Sequence, residues 1–182
     1  MKTLSQKDFT NKRAVIRVDF NVPLDENFKV TDNTRIIAAK ETIELVLKGG
    51  GSCVLISHLG RPKGKDAQFS LSHILEEVKQ ILNIPVEFCE DCVGPEAEKA
   101  TEDLKPGSVI LMENLRYYLE ETAGDVDFAS QLSKLGDCYI NDAFGTAHRA
   151  HASTTIIAQF FKEEKYFGKL LENEVTAIKK VM

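Results

Sequence analysis

Short runs of continuous apolar residues alternate along this chain with segments of helical periodicity. The apolar runs cover residues 13–18, 52–56, 84–88, 108–112 and 138–140. The helical segments cover residues 34–48, 70–82, 94–103, 125–135, 153–161 and 165–182. Strands that are apolar on both faces need helices on both sides, and strand–helix alternation favours parallel pairing. The sequence therefore predicts an α/β fold with a doubly wound, mostly parallel sheet and helices on both faces, a Rossmann-like three-layer arrangement.

The first predicted helix has signals at both ends. Asp32 stands at a position suited to an N-cap, and the glycines at residues 49–51 end the helix. The polar segment 21–32 before it predicts a hairpin or an excursion from the sheet. Since the chain has 182 residues, without an internal repeat or a low-complexity linker, we expect one domain with at most a short extension.

Charge and composition exclude several classes of function. The formal net charge of −5 argues against a protein that binds nucleic acid through bulk positive charge. No apolar stretch approaches the ~20 residues of a membrane-spanning helix. Residues 1–8 lack the apolar core of a signal peptide. We therefore expect a cytoplasmic protein with neither a nucleic acid nor a membrane as partner.

The cysteines leave two interpretations open. Cys89 and Cys92 form a lone C-x-x-C, and Cys53 and Cys138 stand apart from them. A redox role is one interpretation, although the second pair of a zinc ribbon is missing. The other, which we favour, is two reduced thiols after a strand in a reducing compartment.

Polar residues follow the predicted strands directly, at the sheet edge where open parallel sheets bind ligands. They are Asp19 and Asn21 after the first strand, His58 and Arg61 after the second, Arg116 after the fourth, and Arg149 after the fifth.

Arginine is concentrated at this edge. Of six arginines, Arg61, Arg116 and Arg149 lie in loops after strands. Arg35 lies in the first turn of the first helix, where backbone N–H groups and the helix dipole also favour an anion. A guanidinium group keeps its charge and grips phosphate or carboxylate with two parallel hydrogen bonds. We predict that the four arginines gather in one concave anion-binding patch. The alternative is that each is a surface residue beside a carboxylate.

Asp19 is out of place among these cations, because a carboxylate repels an anionic ligand. It either pairs with Arg17 or another arginine of the patch, or binds a ligand hydroxyl group together with Asn21. A ligand that carries both a phosphate and a hydroxyl group fits the second interpretation.

Other motifs at first sight suggest different chemistry. Residues 60–65 are one residue short of a P-loop, and the glycines at residues 49–51 precede a strand, the wrong order for a dinucleotide fingerprint. His148 and His151 are three apart and could share a helical face, but without a third ligand a loop histidine near an anion is the better interpretation. The chain has no G-x-S-x-G, which argues against a serine hydrolase.

Four segments carry a resemblance to a known family: residues 17–24, 57–62, 113–116 and 141–151, in that order. Through them the chain resembles the N-terminal half of the phosphoglycerate kinases over about residues 3–162. The last predicted helix, residues 165–182, matches less distinctively. Residues 40–43 depart from the family pattern, in which a proline often precedes the threonine, and Tyr117 and Tyr118 replace a Phe-His or similar pair.

The resemblance implies phosphoryl transfer between the acyl phosphate of 1,3-bisphosphoglycerate and ADP, giving 3-phosphoglycerate and Mg-ATP in glycolysis. It implies that Asp19 and Asn21 contact the 2-hydroxyl group. It also implies a 3-phosphate site formed by His58, Arg61, Arg116 and Arg149. Arg35 would bind the carboxyl end as the catalytic residue and act electrostatically, without a general base.

The resemblance further implies a two-domain enzyme of about twice this length. We expect residues 1–162 to form the substrate domain and residues 163–182 to begin the interdomain helix, with the nucleotide-binding C-terminal domain absent from this sequence. The chain would bind 3-phosphoglycerate or 1,3-bisphosphoglycerate as a monomer and be inactive alone. It would hold no metal or cofactor, because the other domain binds Mg-ATP or ADP. The alternative is a freestanding module that binds phosphorylated metabolites without transferase activity.

Overall fold

The structure, a computed structural model, describes residue 4 and residues 7–182. Residues 1–3, 5 and 6 lie outside the described residues; they include part of the segment used in the signal-peptide argument and the beginning of the family resemblance. No helix in the described part of the chain is both long and apolar enough to cross a membrane.

Six strands form one sheet in the order β3-β4-β2-β1-β5-β6, and every pairing is parallel. The strands are β1 Arg13–Arg17, β2 Ser52–Ile56, β3 Glu87–Cys89, β4 Val109–Met112, β5 Cys138–Asn141 and β6 Lys165–Phe167. The α-helices are α1 Thr34–Lys48, α2 Leu75–Leu82, α3 Pro95–Glu102, α4 Leu119–Ala123, α5 Val126–Ser133 and α6 Lys169–Val181. The predicted α/β class is confirmed.

The strands are buried on both faces of the sheet. Successive side chains point to opposite sides, so neighbouring residues of one strand belong to different apolar clusters. On β1, Ala14 and Ile16 join one apolar cluster, which also contains side chains of α1 and α2. Val15 joins the cluster on the other face, with side chains of α3 and α5. Helices therefore cover both faces, and a ligand is expected at the sheet edge where the strands end.

The two ends of α1 follow the prediction, with one difference. The N-cap residue is Asn33, whose side chain makes no capping hydrogen bond. The carboxylate of Asp32 lies one residue earlier and accepts hydrogen bonds from the Thr34 N–H at 2.9 Å and its hydroxyl at 2.6 Å. Gly49 ends the helix. The polar segment before it closes on itself through an isolated antiparallel bridge between Leu24 and Val30.

The prediction of one helix over residues 165–182 is wrong at its beginning. Lys165–Phe167 is the edge strand β6 and pairs with β5, and α6 begins only at Lys169. Three residues, of which only Tyr166 is buried, are too few to produce an alternating pattern. The predicted helices at residues 70–82 and 153–161 also differ, since Leu71–Ile74 and Ile156–Phe160 are 3₁₀ turns. The short helix α4 was missed.

The beginning of α6 is held against the end of β5. The N–H of Gly168 donates to Asn141 O at 2.9 Å, and the N–H of Leu171 donates to Asp142 Oδ1 at 3.3 Å. A methyl group on Gly168 would overlap the Asp142 carboxylate, so this approach requires glycine. Asp142 is 1% exposed, and its Oδ2 has no hydrogen-bond partner among the described residues. Burial raises the pKa of Asp142 to about 6.

We predict that Asp142→Asn stabilises the protein at neutral pH but not at acidic pH. Because the folded-state pKa is raised, the wild-type carboxyl group favours the folded state below about pH 4 and loses this contribution as pH rises through 6. Relative to wild type, the variant should gain about 2–3 kcal/mol in free energy of unfolding between pH 4 and pH 7. Urea titrations measure this, with exposed Asp103→Asn as control. A difference that does not change with pH would contradict the prediction.

Candidate anion-binding site

The residues singled out in the sequence lie at one edge of the sheet. Because β1, β2, β4 and β5 are parallel, the loops that follow them leave the sheet on the same side. The 3₁₀ turn Leu115–Tyr117 after β4 carries Arg116. The N-terminal end of α1 brings Arg35 to this edge from outside the sheet.

Three of the four predicted arginines line one cavity of about 290 Å³, here called the arginine pocket. Its lining residues are Arg61, Pro62, Arg116, Tyr118, Leu119, Thr122, Arg149 and His151. Arg35, Asp19, Asn21 and His58 are not among them. The predicted patch is therefore divided into the arginine pocket and a neighbouring group around Arg35.

Among the residues that the structure describes, the three arginines of the pocket have no acidic partner. In the described part of the chain, the arginines paired with a carboxylate within 4.0 Å are Arg13, with Asp137, and Arg35, with Asp19. The Nε of Arg116 is buried without a hydrogen-bond partner among those same residues. Burial, with Arg17, Arg149 and Arg61 adding to it, lowers the pKa of Arg116, although Glu121 opposes the shift. The pocket thus concentrates positive charge that no described carboxylate pairs with directly, which favours an anion.

Arg35 belongs to a second group beside the pocket. Its Nη1 donates to Asp19 Oδ1 at 3.2 Å and to Asn21 O at 2.9 Å. This ion pair is the structural alternative raised for Asp19, with Arg35 and not Arg17 as its partner. Binding of a hydroxyl group by Asp19 remains a prediction.

Gly60 connects the two groups. Its N–H donates to Asn21 Oδ1 at 2.8 Å, and its carbonyl oxygen accepts from Arg116 Nη1 at 3.4 Å. Gly60 has a positive φ of 62°. A methyl group there would lie 2.4–2.5 Å from carbons of the Phe69 ring, which is closer than Cβ atoms approach other atoms in proteins. The loop after β2 therefore holds Asn21 on one side and Arg116 on the other.

His58 is held as a neutral donor. Its Nδ1 lies 3.0 Å from Arg17 Nη2. Because arginine has only donors, Nδ1 must be the acceptor and the ring proton must sit on Nε2. Burial, reinforced by Arg17 and Arg116, lowers the pKa of His58 to about 2. At neutral pH His58 can donate one hydrogen bond from Nε2 without adding charge.

Arg17 is the main site residue that the sequence analysis missed. It is 0% exposed, and its guanidinium donates to Ser153 Oγ at 2.8 Å, to Val18 O and to His58. An arginine at the end of an apolar strand is the signal that could have found it, because buried cations are rare unless they are paired.

His151 and His148 separate from each other in the structure. Neither lies on an α-helix; His151 lines the arginine pocket and His148 is exposed. Burial lowers the pKa of His151, and its Nδ1 has no hydrogen-bond partner in the described part of the chain. Among residues 4 and 7–182, no three His, Cys, Asp or Glu side chains come together as a metal site.

The cysteine pair gives no support to redox chemistry. Cys89 and Cys92 are both buried and free. Burial raises the pKa of both thiols, whereas a reactive cysteine needs a lowered one.

Comparison with known proteins gives one family. The family model described as phosphoglycerate kinase matches residues 4–182. A phosphoglycerate kinase from Porphyromonas gingivalis is 46% identical over 204 residues, covering 99% of this chain and 49% of the relative. One from Nicotiana tabacum, named as cytosolic, is 47% identical over 173 residues, covering 95% of this chain and 43% of the relative. The chain thus spans about half the length of the curated relatives it matches.

Solved structures agree with the sequence relatives. The phosphoglycerate kinase crystal structure from Pyrococcus horikoshii OT3 superposes with a TM-score of 0.89 at 30% identity, over 99% of this chain and 45% of that one. The structure from Coxiella burnetii gives a TM-score of 0.86 at 32% identity, over 99% of this chain and 44% of that one.

We predict that His58 does not titrate in the folded protein between pH 8 and pH 5. Its side-chain NMR shifts should stay constant and show the Nε2–H form, because the lowered pKa keeps the ring neutral. In urea the same ring should titrate at about pH 6.5. Because only the unfolded state then takes up a proton, this residue lowers the free energy of unfolding as pH falls below that value. Titration of His58 near pH 6 in the folded protein would refute the prediction.

Proposed function

The chain belongs to the phosphoglycerate kinase family, and we propose that it is the 3-phosphoglycerate-binding part of such an enzyme. The proposed reaction transfers a phosphoryl group between the acyl phosphate of 1,3-bisphosphoglycerate and ADP, in glycolysis. The observation that carries this proposal is the arginine pocket, in which three guanidinium groups line one cavity without an acidic partner within 4.0 Å among the described residues.

In the proposed complex, the arginine pocket takes the 3-phosphate group. Arg61, Arg116 and Arg149 supply charge, and His58, which does not itself line the pocket, is proposed to donate from Nε2 to the same phosphate. Charge-assisted hydrogen bonds contribute ~1.5–3 kcal/mol each, and micromolar binding needs about −8 kcal/mol. Three such bonds at the upper end of this range, or four at ~2 kcal/mol each, reach that value.

The group around Arg35 takes the other end of the ligand. Asn21 Oδ1 is occupied by the Gly60 N–H, which leaves the Asn21 side-chain NH₂ to donate to the 2-hydroxyl group, while Asp19 accepts from it. Arg35 is proposed as the catalytic residue at the carboxyl end. Phosphoryl transfer depends mainly on positioning and charge stabilisation, and a guanidinium supplies both without moving a proton.

The nucleotide is proposed to bind elsewhere. This chain spans about half the length of the relatives that it matches, which leaves room in such an enzyme for a second domain. We place Mg-ATP or ADP on a second domain outside these residues, with residues 1–162 as the substrate domain and α6, within residues 163–182, as the beginning of the interdomain connection. On this proposal residues 1–182 bind 3-phosphoglycerate as a cytoplasmic monomer but do not form ATP alone. ATP formation by these residues alone would count against the two-domain assignment.

We predict that Arg149→Lys weakens 3-phosphoglycerate binding about three- to tenfold, because lysine keeps the charge but loses the planar pair of donors. The matched control is Lys63→Ala, which removes an exposed cation from the loop after β2 but not from the lining of the arginine pocket. Calorimetry and NMR shift mapping measure both, with unphosphorylated glycerate as the comparison ligand. Equal weakening by the two variants, or equal binding of glycerate, would contradict the assignment of the phosphate to this pocket.

We predict that Arg35→Ala, in an enzyme that has both domains, lowers kcat by much more than it raises the dissociation constant for 3-phosphoglycerate. The reason is that Arg35 is proposed to stabilise charge that develops during transfer. Steady-state kinetics together with direct binding measurements separate the two effects. An equal loss in both would make Arg35 a ground-state binding residue.

A further inference from the structure

A buried carboxylate lies behind the arginine pocket. Glu121, on α4, is 0% exposed. Its Oε2 accepts from Ser153 Oγ at 2.5 Å, and its Oε1 accepts from the Ser153 N–H at 2.8 Å. Both oxygens act as acceptors, as an ionised carboxylate requires. Neither the family resemblance nor the proposed ligand contacts assign a role to this residue.

The hydrogen bonds continue from Ser153 to the site. Since the Ser153 hydroxyl donates its only hydrogen to Glu121, its oxygen is left to accept, and Arg17 Nε donates to it at 2.8 Å. Arg17 in turn donates to His58 Nδ1 at 3.0 Å. An unbroken path therefore joins Glu121, through Ser153 and Arg17, to His58, and every side chain along it is buried.

We propose that Glu121 is a positioning residue of the anion site: through Ser153 it fixes the Arg17 guanidinium, which fixes His58 with its proton on Nε2. The inference rests on the proposed function, because it takes the arginine pocket and His58 as the place where the ligand phosphate binds.

The negative charge of Glu121 compensates the buried positive charge of Arg17. Arg17 is a buried cation close to His58 and Arg116, and a buried charge is costly unless it is paired and hydrogen-bonded. Glu121 supplies the compensating negative charge, and the Ser153 hydroxyl orients Arg17 by accepting a hydrogen bond from its Nε. With Nε and Nη1 held, the remaining Nη2 is directed to His58 Nδ1.

Glu121 also holds the loop that carries Arg149 and His151. Its backbone oxygen accepts from the Ala152 N–H at 2.9 Å. At the C-cap of the same helix, Gly124 has a φ of 66°, and a methyl group there would lie 2.5 Å from Ala150 O. The loop is therefore packed tightly on the end of α4. Glu121 thus holds both Arg17, through Ser153, and the loop that carries Arg149.

The direction of the change in anion affinity, when Glu121 is neutralised, distinguishes a positioning role from a through-space electrostatic effect. A carboxylate behind an anion site opposes anion binding through space, so its neutralisation should tighten binding. If Glu121 acts by positioning, neutralisation should weaken binding, because Arg17 and His58 lose their fixed orientation.

The test uses Glu121→Gln and Ser153→Ala. Ser153→Ala breaks the path at the hydroxyl group but keeps the charge of Glu121 and the backbone N–H that donates to it, so it tests the proposal even if Glu121→Gln fails to fold. The matched control is Glu120→Gln, which removes one exposed charge from the same helix. Binding of sulfate and of 3-phosphoglycerate is measured by calorimetry, and the protonation of the two His58 ring nitrogens by NMR in the free protein.

Both test variants are expected to bind sulfate and 3-phosphoglycerate about tenfold more weakly than wild type, with His58 no longer held in the single Nε2–H form. Glu120→Gln should change neither readout. Tighter or unchanged binding in Ser153→Ala, or an unchanged His58 form, would overturn the positioning role. If wild-type His58 shows the Nε2–H form, lost in Ser153→Ala, but neither anion binds, the proposed function fails while the buried path stands.

Discussion

The pairing of β1 with a neighbour on each side fixes the site edge. Arg17, the last residue of β1, is in register with Ile56 of β2 and with Asn141 of β5. The ladder extends one step further, since the Val18 N–H donates to Ile56 O at 3.0 Å and the Asp142 N–H donates to Arg17 O at 2.9 Å. Three chain segments therefore leave the sheet at the same level. Asp19 and His58 follow directly after the ends of β1 and β2, so their placement depends on this hydrogen-bonded backbone.

Charge at this edge is arranged in two layers. At the surface, Arg61, Arg116 and Arg149 line the arginine pocket, and among the described residues none of them is ion-paired with a carboxylate. Beneath them, Arg17 is a cation that no ligand needs to contact. Its charge is compensated by Glu121, which is connected to it through the Ser153 hydroxyl. Charges in a buried layer need compensation within the protein, whereas charges at the surface can be compensated by water or by a ligand. The separation lets the pocket remain positive although Glu121 lies behind it.

Local patterns predicted the parts of the molecule that are set by local physics. The strands β1 and β2 and the helix α1 were predicted because apolar periodicity and terminal glycines act over a few residues. The loops that carry Arg61, Arg116 and Arg149 followed from strand ends alone. In contrast, β6 was missed because a three-residue edge strand is defined by its pairing with β5, which lies far from it in sequence.

The interior of the site could not be predicted for a related reason. The sequence alone does not distinguish Arg17 from an exposed arginine at the end of a strand. Its burial depends on a hydrogen bond to Ser153, which is 136 positions away. The neutral state of His58 depends on Arg17, 41 positions earlier. The division of the four arginines between two groups likewise depends on where Gly60 turns the loop after β2.

Two cations at the site edge, Arg17 and Arg35, differ in how firmly they are held. Arg17 is buried, and removing one partner would leave an uncompensated charge in the interior, which is strongly unfavourable. Arg35 pairs with Asp19 at a half-exposed position, where an ion pair contributes only ~0–1 kcal/mol. A ligand can therefore replace Asp19 as the partner of Arg35 at little cost, while Arg17 stays fixed. Arg17 therefore forms part of the scaffold, whereas Arg35 is free to exchange its partner, and their different burial is sufficient to produce that difference.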